Sequence, residues 1–352
     1  MSRDVKVLLI GTGRMAGEHA RRYASISGVE VVAAVDIDRA RVRAFCDEHK
    51  IKHAYIDLQK ALKSGQYDAC SVVTPDEAHA PVSIQCLEAQ LPVLCEKPLS
   101  DSLESAQAMV VAAKKSQQST MVNFSYRSSG ALAKARELVD SGKMGDVRHV
   151  EASYRQSWLV SDYWGDWREE DAWLWRLSQS HGSLGVLGDV GIHILDFLCA
   201  GTGQELAGLQ CRLQTFNKAA DNRIGDYQLD ANDSCVMNVE LANGALGVVH
   251  MSRYYTGYMN DLALSIHGTK GAVQVGTGQN GDSLVTCLGQ DMHDQVWSPM
   301  SVEPQADTFD RFIDSVRSGK AASPDFAHAA QLQRYLSMGF DSHEIGRWID
   351  CA

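Results

Sequence analysis

The stretch VKVLLIGTGRMA, residues 5–16, decides the fold of this chain. Its apolar first half predicts a buried β-strand, and the glycines that follow predict a tight turn that leads into a helix. A second apolar run, residues 31–35, ends in Asp36. A strand, a glycine turn, a helix and a second strand ending in an acid predict a βαβ unit that binds a dinucleotide. An ordinary tight turn is the alternative interpretation of the glycines alone.

Each small residue of this turn has its own predicted role. Gly11 allows the tight turn, and Gly13 allows the backbone to approach a pyrophosphate. The pyrophosphate would lie at the helix N-terminus, where free N–H groups and the helix dipole favour an anion. Ala16 occupies the third small position, where the helix packs closely on the strand.

The acid at the end of the second strand predicts which cofactor is bound. The Asp36 carboxylate is placed to accept hydrogen bonds from a ribose diol, and its charge would repel a 2′-phosphate. NAD is therefore the expected cofactor, with NADP less favoured. Arg39 and Arg41 lie nearby in the sequence and argue the other way, because an arginine here accommodates the 2′-phosphate of NADP.

The composition is typical of a globular protein with two domains. The chain has 352 residues and a formal charge of −11 without a dense Lys/Arg cluster, which argues against a nucleic-acid partner. Nine scattered cysteines form no C-x-x-C pair, which favours reduced thiols in a cytoplasmic protein. The sequence shows neither a signal-peptide pattern nor an apolar run that would span a membrane. We expect no metal site and no membrane partner.

Residues 1–123 alternate between short apolar runs and helical patterns. Continuous apolar runs are typical of strands whose two faces are both covered, so this part predicts a parallel, doubly wound α/β domain that binds a dinucleotide. The predicted strands are 5–11, 29–36, 69–74, 92–96 and 120–124, and the predicted helices include 38–49, 77–89 and 102–117.

Residues 124–352 predict a second α/β domain built on a mainly antiparallel sheet. Asn243-Gly244, between two strand-like runs, is typical of a β-hairpin. Helices are expected on one face of this sheet and a partner subunit on the other, because a large apolar sheet face is unusual in a monomer. The predicted strands are 147–154, 206–216, 233–242, 246–254, 262–267 and 271–275, and the predicted helices are 130–141, 184–199, 304–318 and 326–349.

Polar residues follow two neighbouring strands of the first domain. Thr74-Pro75 ends one strand, and Glu96-Lys97-Pro98 ends the next. In doubly wound sheets the ligand crevice lies at the carboxyl ends of the strands, so both tracts are expected to face the cofactor. Lys97 is suited to direct its ammonium group at a substrate hydroxyl. A surface lysine in a turn is the alternative.

The segment GSLGVLGDVGIHILD, residues 182–196, holds a second pair of candidates. Asp189 and His193 are four residues apart, so on a helix they share a face. A carboxylate beside an imidazole orients the ring and stabilises its charged form, which suits a general base with its supporting acid. Asp196 is a competitor for the role of Asp189. The alternative is a capping aspartate and a buried, hydrogen-bonded histidine.

Several further segments share the order found in one known family. On them the chain resembles the glucose–fructose oxidoreductase, inositol dehydrogenase and rhizopine catabolism family of NAD(P)-dependent oxidoreductases. The matching segments are GTGRMA at 11–16, TPDEAH at 74–79, EKP at 96–98, YR at 126–127, SGKMGDVRHV at 141–150, GVLGDVGIHILD at 185–196, NGALGVVHMSR at 243–253 and HGTKGAV at 267–273.

This resemblance implies a function and a set of site residues. It implies a Rossmann domain followed by an α/β domain whose large open sheet forms a homodimer or homotetramer interface. It also implies a cis peptide bond between Lys97 and Pro98. The implied catalytic residues are Lys97, Asp189 and His193, the implied cofactor residues are Gly11, Thr12, Gly13, Arg14, Met15, Ala16, Asp36, Thr74, Pro75, His79, Glu96 and Lys97, and the implied substrate residues add Arg127, Trp175 and Arg176.

The implied reaction is hydride transfer to NAD from a secondary hydroxyl of a sugar, a cyclitol or a sugar derivative. His193 would be the general base in this reaction. Two alternatives remain open: a glycosidase that oxidises its sugar only transiently, and a sugar sensor without catalysis. For Arg127 the alternative to substrate binding is a salt bridge, and the tryptophans other than Trp175 are as well suited to the core or an interface.

Overall fold

The computed structural model describes residues 4–351 of the chain. The strands are β1 (Val5–Ile10), β2 (Val29–Val35), β3 (His53–Tyr55), β4 (Ala69–Val72), β5 (Val93–Cys95), β6 (Thr120–Val122), β7 (Val147–Gln156), β8 (Leu206–Gln214), β9 (Arg223–Ile224), β10 (Tyr227–Gln228), β11 (Ser234–Leu241), β12 (Leu246–Ser252), β13 (Asn260–Gly268), β14 (Gly271–Thr277), β15 (Ser283–Leu288), β16 (Ser298–Pro299) and β17 (Ile349–Asp350). The α-helices are α1 (Arg14–Ser25), α2 (Arg39–His49), α3 (Leu58–Ser64), α4 (Asp76–Glu88), α5 (Leu103–Ser116), α6 (Gly130–Asp140), α7 (Asp171–Leu174), α8 (Ile192–Thr202), α9 (Asp291–Asp294), α10 (Thr308–Ser318) and α11 (Phe326–Ile345).

The described chain divides into two compact units. The first unit holds the chain up to Ser125 together with Ala306–Arg334, and the second holds Tyr126–Gln305 and the chain from Tyr335 onward. None of the helices in residues 4–351 is long and apolar enough to cross a membrane.

The first unit contains the predicted doubly wound sheet. Six parallel strands lie in the order β3-β2-β1-β4-β5-β6, so the chain runs outward from β1 in both directions. This is the strand order of a Rossmann domain, and its switch point lies between β1 and β4. The β1, β4, β5 and β6 side chains are almost all buried, as expected when helices cover both faces of a parallel sheet. The short β3 and α3 were not predicted from the sequence.

One segment of the chain lies in a different unit from the one predicted. The sequence placed all of 124–352 in the second domain, but Ala306–Arg334 belongs to the first unit. The reason is apolar packing, because Phe309, Phe312 and Ile313 of α10 lie in one buried cluster with β1, β4, β5 and β6 side chains. Helix α11 passes from the first unit into the second after Arg334.

The second unit is built on a nine-stranded sheet in the order β16-β15-β14-β13-β7-β12-β11-β8-β17. Only the β7–β12 pair is parallel, so the prediction of a mainly antiparallel sheet is confirmed. The hairpin predicted at Asn243-Gly244 joins β11 to β12, and Gly244 has a φ of 81°, which favours glycine. Strand β15 and the small β9–β10 hairpin were not predicted.

The two faces of this sheet differ in exposure. Side chains alternate along each strand, so paired residues of neighbouring strands share a face. On one face, Leu264 of β13 and Val249 of β12 are fully buried. On the other face, Val236 and Leu246 are 50% and 57% exposed. The second face is therefore a partly apolar surface within this unit.

Candidate active site

The glycine turn between β1 and α1 has the geometry that a bound pyrophosphate requires. Gly11 has a φ of 94°, and a Cβ on it would lie 2.5 Å from the Val73 carbonyl oxygen. A Cβ on Gly13 would meet no atom within 4 Å, so the backbone there faces open space at the start of α1. Ala16 is fully buried, as expected for the close packing of α1 on the sheet. The turn therefore fits a dinucleotide whose phosphates lie against the α1 N-terminus.

The remaining residues of the turn differ in their exposure to solvent. Arg14 and Met15 are exposed in the first turn of α1. Thr12 is buried, and both its N–H and its hydroxyl bond to Asp36. Thr12 therefore supports the acid, and its contact with the cofactor stays a prediction.

Asp36 lies at the end of β2 and is held as a charged carboxylate. Its Oδ2 accepts from Thr12 N at 2.9 Å, and Arg41 donates to both oxygens at 2.7 and 3.1 Å. Burial alone would raise the pKa of Asp36, but the bonds from Arg41, from the Asp38 N–H and from Thr12 lower it to about 2. The acid predicted to bind the ribose is thus ionised and already carries an arginine partner.

The loops after β4 and β5 are joined by a buried histidine. The His79 ring nitrogens lie 2.9 Å from the Thr74 carbonyl oxygen and 2.8 Å from the Pro98 carbonyl oxygen. Burial would lower the pKa of His79, but Cys95, Asp76 and the Pro98 carbonyl raise it to about 10. A ring that faces two carbonyl oxygens satisfies both only as an imidazolium, which has two N–H donors. Both nitrogens of His79 contact the protein backbone, and the contact with the cofactor that the resemblance implied stays a prediction.

Thr74 and Pro75 lie at this clamped position. Pro75 is the cap residue before α4, and the buried Thr74 hydroxyl oxygen has no hydrogen-bond partner among residues 4–351. A buried hydroxyl without a hydrogen-bond partner near the carboxyl end of β4 is consistent with a site where a cofactor supplies that partner.

Glu96 is fixed beneath the backbone of Lys97. Its Oε1 accepts from His19 Nε2 at 2.8 Å and from Asn123 Nδ2 at 2.7 Å, and its Oε2 accepts from the Lys97 N–H at 3.1 Å. Burial raises the pKa of Glu96, but these three bonds lower it to about 2. These bonds hold the Glu96 side chain against the Lys97 backbone, and its contact with the cofactor stays a prediction. The peptide bond between Lys97 and Pro98 is cis, as the resemblance implied.

The predicted helix around His193 begins at 185, one residue later than expected, and contains a π-helical turn. Gly185 has a φ of 69°, and a Cβ on it would lie 2.3 Å from the Asn232 side chain, so a regular helix cannot start at 184. The turn Leu187–Gly191 is π-helical and holds Asp189, and α8 follows with His193 in its first turn. Such turns are frequent at functional sites.

Two tyrosines surround His193. Its ring meets Tyr126 at a centroid distance of 5.3 Å and Tyr154 at 6.2 Å, both edge to face. The two phenol oxygens are 2.6 Å apart, and Asn260 Nδ2 donates to Tyr126 at 2.9 Å. Burial raises the pKa of both phenols, so both stay protonated and neither competes as a base at neutral pH. The sequence reasoning did not identify this group, because its members come from four separate elements.

A fully buried arginine lies behind Asp189. Arg253, just after β12, places Nη2 3.4 Å from Asp189 Oδ2 and donates from Nη1 to the Arg176 carbonyl oxygen at 3.1 Å. Arg253 belongs to the segment 243–253, and its pairing with Asp189 could not be predicted because 64 residues separate the two.

Arg127 forms the salt bridge that was the alternative to substrate binding. Its Nε and Nη2 donate to Asp196 at 2.7 and 2.6 Å, and both side chains are largely buried. Asp196 thus holds Arg127 in a bidentate pair, while Asp189 pairs with Arg253. The two acids of this segment therefore have different arginine partners.

Trp175 and Arg176 lie at the surface of the second unit. Trp175 is 41% exposed, and the Arg176 guanidinium stacks over its ring at 4.7 Å. Arg253 links the Arg176 backbone to Asp189, so this segment lies close to the candidate acid. The stacked pair offers an aromatic face and a cation on the same unit as Asp189 and His193.

Comparisons with known proteins agree with this class of site. Residues 5–124 match a family described as an oxidoreductase family with an NAD-binding Rossmann fold, and residues 132–274 match the GFO/IDH/MocA C-terminal domain. The chain is 25% identical to the levoglucosan dehydrogenase of Pseudarthrobacter phenanthrenivorans over 99% of this chain and 98% of that protein. It is 26% identical to the inositol 2-dehydrogenase of Arthrobacter sp. strain FB24 over 81% of this chain and 80% of that one.

A solved structure has the same fold over its whole length. The oxidoreductase domain protein from Kribbella flavida superimposes with a TM-score of 0.86 at 26% identity, with 100% of both chains covered. The fold and the cofactor turn therefore define an NAD-binding oxidoreductase. The chain belongs to the GFO/IDH/MocA family.

Proposed function

We propose that this protein is an NAD-dependent dehydrogenase that oxidises a secondary hydroxyl of a sugar, a cyclitol or a sugar derivative. The observation that carries the proposal is the pairing of Asp189 with the buried Arg253, one helical turn from His193. A carboxylate and an imidazole on one face suit removal of a hydroxyl proton. The similarity to levoglucosan and inositol dehydrogenases supports this class of substrate.

His193 takes the hydroxyl proton onto a ring nitrogen. Histidine is the side chain whose charge ordinarily changes between pH 5 and 8, so it can accept a proton and release it at neutral pH. Tyr126 and Tyr154 pack edge-on against the ring and restrict its rotation. When bound, the nicotinamide supplies the acceptor for the hydride, which leaves the carbon that bears this hydroxyl.

Lys97 and Asp189 act on the reacting oxygen in this proposal. The Lys97 ammonium donates to the hydroxyl oxygen and lowers the cost of the negative charge that develops as the proton leaves. Its backbone is fixed by Glu96, so the side chain starts from a rigid point. Asp189 accepts from a substrate hydroxyl and orients the sugar ring for the base.

The proposal extends to cofactor preference and assembly. The pKa of Asp36 is lowered to about 2, and in this proposal the ionised carboxylate accepts from the adenosine ribose, which favours NAD over NADP. The partly apolar face of the nine-stranded sheet, with Val236 and Leu246 exposed, is the proposed homodimer or homotetramer interface. The proposed location is the cytoplasm.

The test is NADH formation by purified protein with NAD or NADP and a panel of inositols, aldoses, anhydrosugars and aryl glycosides. Growth of NADH absorbance on a free polyol supports the dehydrogenase and begins to define its substrate. Release of an aglycone without net NADH would assign the protein to the glycosidase class instead. Tight NADH binding without turnover on any carbohydrate would indicate a sensor.

A further inference from the structure

Arg253 is one of the largest side chains that the second unit buries completely. A guanidinium loses its hydration when it is buried, which is costly unless charges and hydrogen bonds replace the water. Burial accordingly lowers the pKa of Arg253, while Asp189 and Asp233 oppose that effect. A position that retains such a group needs a structural or functional reason.

The contacts of Arg253 are directed toward one acid. Nη1 donates to the Arg176 carbonyl oxygen at 3.1 Å, and Nη2 lies 3.4 Å from Asp189 Oδ2. The Trp158 ring covers the guanidinium, with Cζ 4.9 Å from the ring centroid. A stacked ring and a backbone carbonyl together fix the plane of the guanidinium, and that plane sets the direction of Nη2.

Asp233, the second acid near Arg253, already has its own cationic partner. Asp233 Oδ2 accepts from Lys218 Nζ at 2.6 Å, and both of these side chains are fully buried. Asp233 meets Arg253 through the backbone, where its carbonyl accepts from the Arg253 N–H at 3.0 Å. Two buried cations thus form ion pairs with two different acids: Lys218 pairs with Asp233, and Arg253 pairs with Asp189.

We propose that Arg253 is a positioning residue, which acts through Asp189 to keep that carboxylate ionised and aimed at the substrate. This inference rests on the proposed role of Asp189. Arg253 itself has no exposed surface, whereas the Asp189 side chain keeps 30% of its surface exposed. Only Asp189 can therefore reach a ligand, and Arg253 supports it from the buried side.

The decisive measurement is a titration that does not depend on activity. The carboxyl signal of Asp189 is followed by NMR in protein labelled with ¹³C-aspartate, and Asp189→Asn assigns the signal. Removing the cation in Arg253→Met is expected to move the midpoint of this signal to higher pH, because a nearby positive charge favours the ionised carboxylate. Arg253→Lys keeps the charge without the planar fork, so we expect a smaller displacement.

Lys218→Met is the matched control. It also removes a buried cation from this cluster, but that cation bonds Asp233. We expect Lys218→Met to lower thermal stability and to leave the Asp189 midpoint where it is in the parent protein. An unchanged midpoint in folded Arg253→Met would overturn the proposal, and so would an equal displacement in Lys218→Met. If Arg253→Met does not fold, the same comparison is made with Arg253→Lys.

Kinetics then connect the titration to function. With a polyol that the parent protein oxidises, Arg253→Met is expected to lower kcat about tenfold or more and to move the acid limb of the pH profile upward. Binding of NADH is expected to stay at the parent value. Failure of the parent protein to oxidise any polyol would contradict the proposed function, whereas the titration would still decide whether Arg253 controls Asp189.

Discussion

Arg41 donates hydrogen bonds to both carboxylate oxygens of Asp36, from Nη2 to Oδ1 at 2.7 Å and from Nε to Oδ2 at 3.1 Å. The acid proposed to bind the ribose is therefore paired with a solvent-exposed cation, because the Arg41 side chain is 51% exposed. An arginine at this place can also pair with a 2′-phosphate. These two residues together are expected to set the preference between NAD and NADP.

Asp36→Ala is expected to weaken NAD binding about tenfold and to narrow the gap between NAD and NADP. The carboxylate that accepts from the ribose hydroxyls is lost, and so is the charge that repels a phosphate. Dissociation constants for both cofactors, from fluorescence titration, provide the measurement. An unchanged ratio of the two constants would mean that another group contacts the ribose.

Arg41→Ala is expected to have the opposite effect on selectivity. Without Arg41 the site keeps the negative charge of Asp36 and loses the cation that a 2′-phosphate would pair with, so NADP binding falls more than NAD binding. Arg39→Ala, on the same turn of α2, is the matched control and should leave the ratio unchanged. Equal ratios in the parent protein and Arg41→Ala would contradict this role.

Glu96 is expected to make stability depend on pH in the acid range. Its pKa is lowered from an ordinary 4.5 to about 2, so the stability it contributes is present above about pH 4.5 and is lost as the pH falls toward 2. A shift of this size corresponds to about 3 kcal/mol for so buried a group. Chemical unfolding of Glu96→Gln should show lower stability at pH 7 and a flatter profile below pH 4.5. Glu77→Gln, at an exposed carboxylate, should follow the parent profile.

His79 is expected to act in the alkaline range with the opposite sign. Its pKa is raised from 6.5 to about 10, so its contribution is complete below about pH 6.5 and is lost as the pH rises through about 10. His79→Gln should lower the melting temperature by several degrees at pH 7, and the difference from the parent protein should shrink toward pH 10. His53→Gln, at an exposed histidine, is the control. A constant difference across this range would show that His79 does not carry the charge.

Sequence patterns predicted most strands and helices of the first unit and the position of the glycine turn between β1 and α1. Gly11, Gly13, Ala16 and Asp36 are recognisable because their roles follow from local backbone geometry and from a fixed order of strand, turn and helix. The carboxyl ends of β4 and β5 were likewise identified, because a parallel sheet brings such ends to one edge.

Long-range pairing accounts for the features that the sequence could not predict. The pattern of α10 shows an apolar stripe with Phe309 and Phe312, but a stripe does not indicate which sheet it will cover. Arg127 pairs with Asp196, 69 residues away in the sequence, and Arg253 pairs with Asp189, 64 residues away. Such charge pairs depend on the folded arrangement, so spacing in the sequence carries no signal for them.

The exposed face of the nine-stranded sheet is expected to hold the oligomer together. Val236→Asp combined with Leu246→Glu places two charges on apolar positions that are 50% and 57% exposed. Light scattering after size exclusion should show a dimer or tetramer for the parent protein and a smaller species for the double variant, with NADH binding retained. Asn238→Asp, on the same face, should keep the parent mass. A monomeric parent protein would contradict the proposed interface.

The most direct test of the central claim compares oxidation by the parent protein with oxidation by Lys97→Ala and His193→Ala. With the best polyol of the panel, the account predicts one NADH for each sugar oxidised by the parent protein. Each variant should then be slower by about two orders of magnitude or more, with an almost unchanged dissociation constant for NADH. Near-parent turnover in either variant, or product formed without net NADH, would contradict the account.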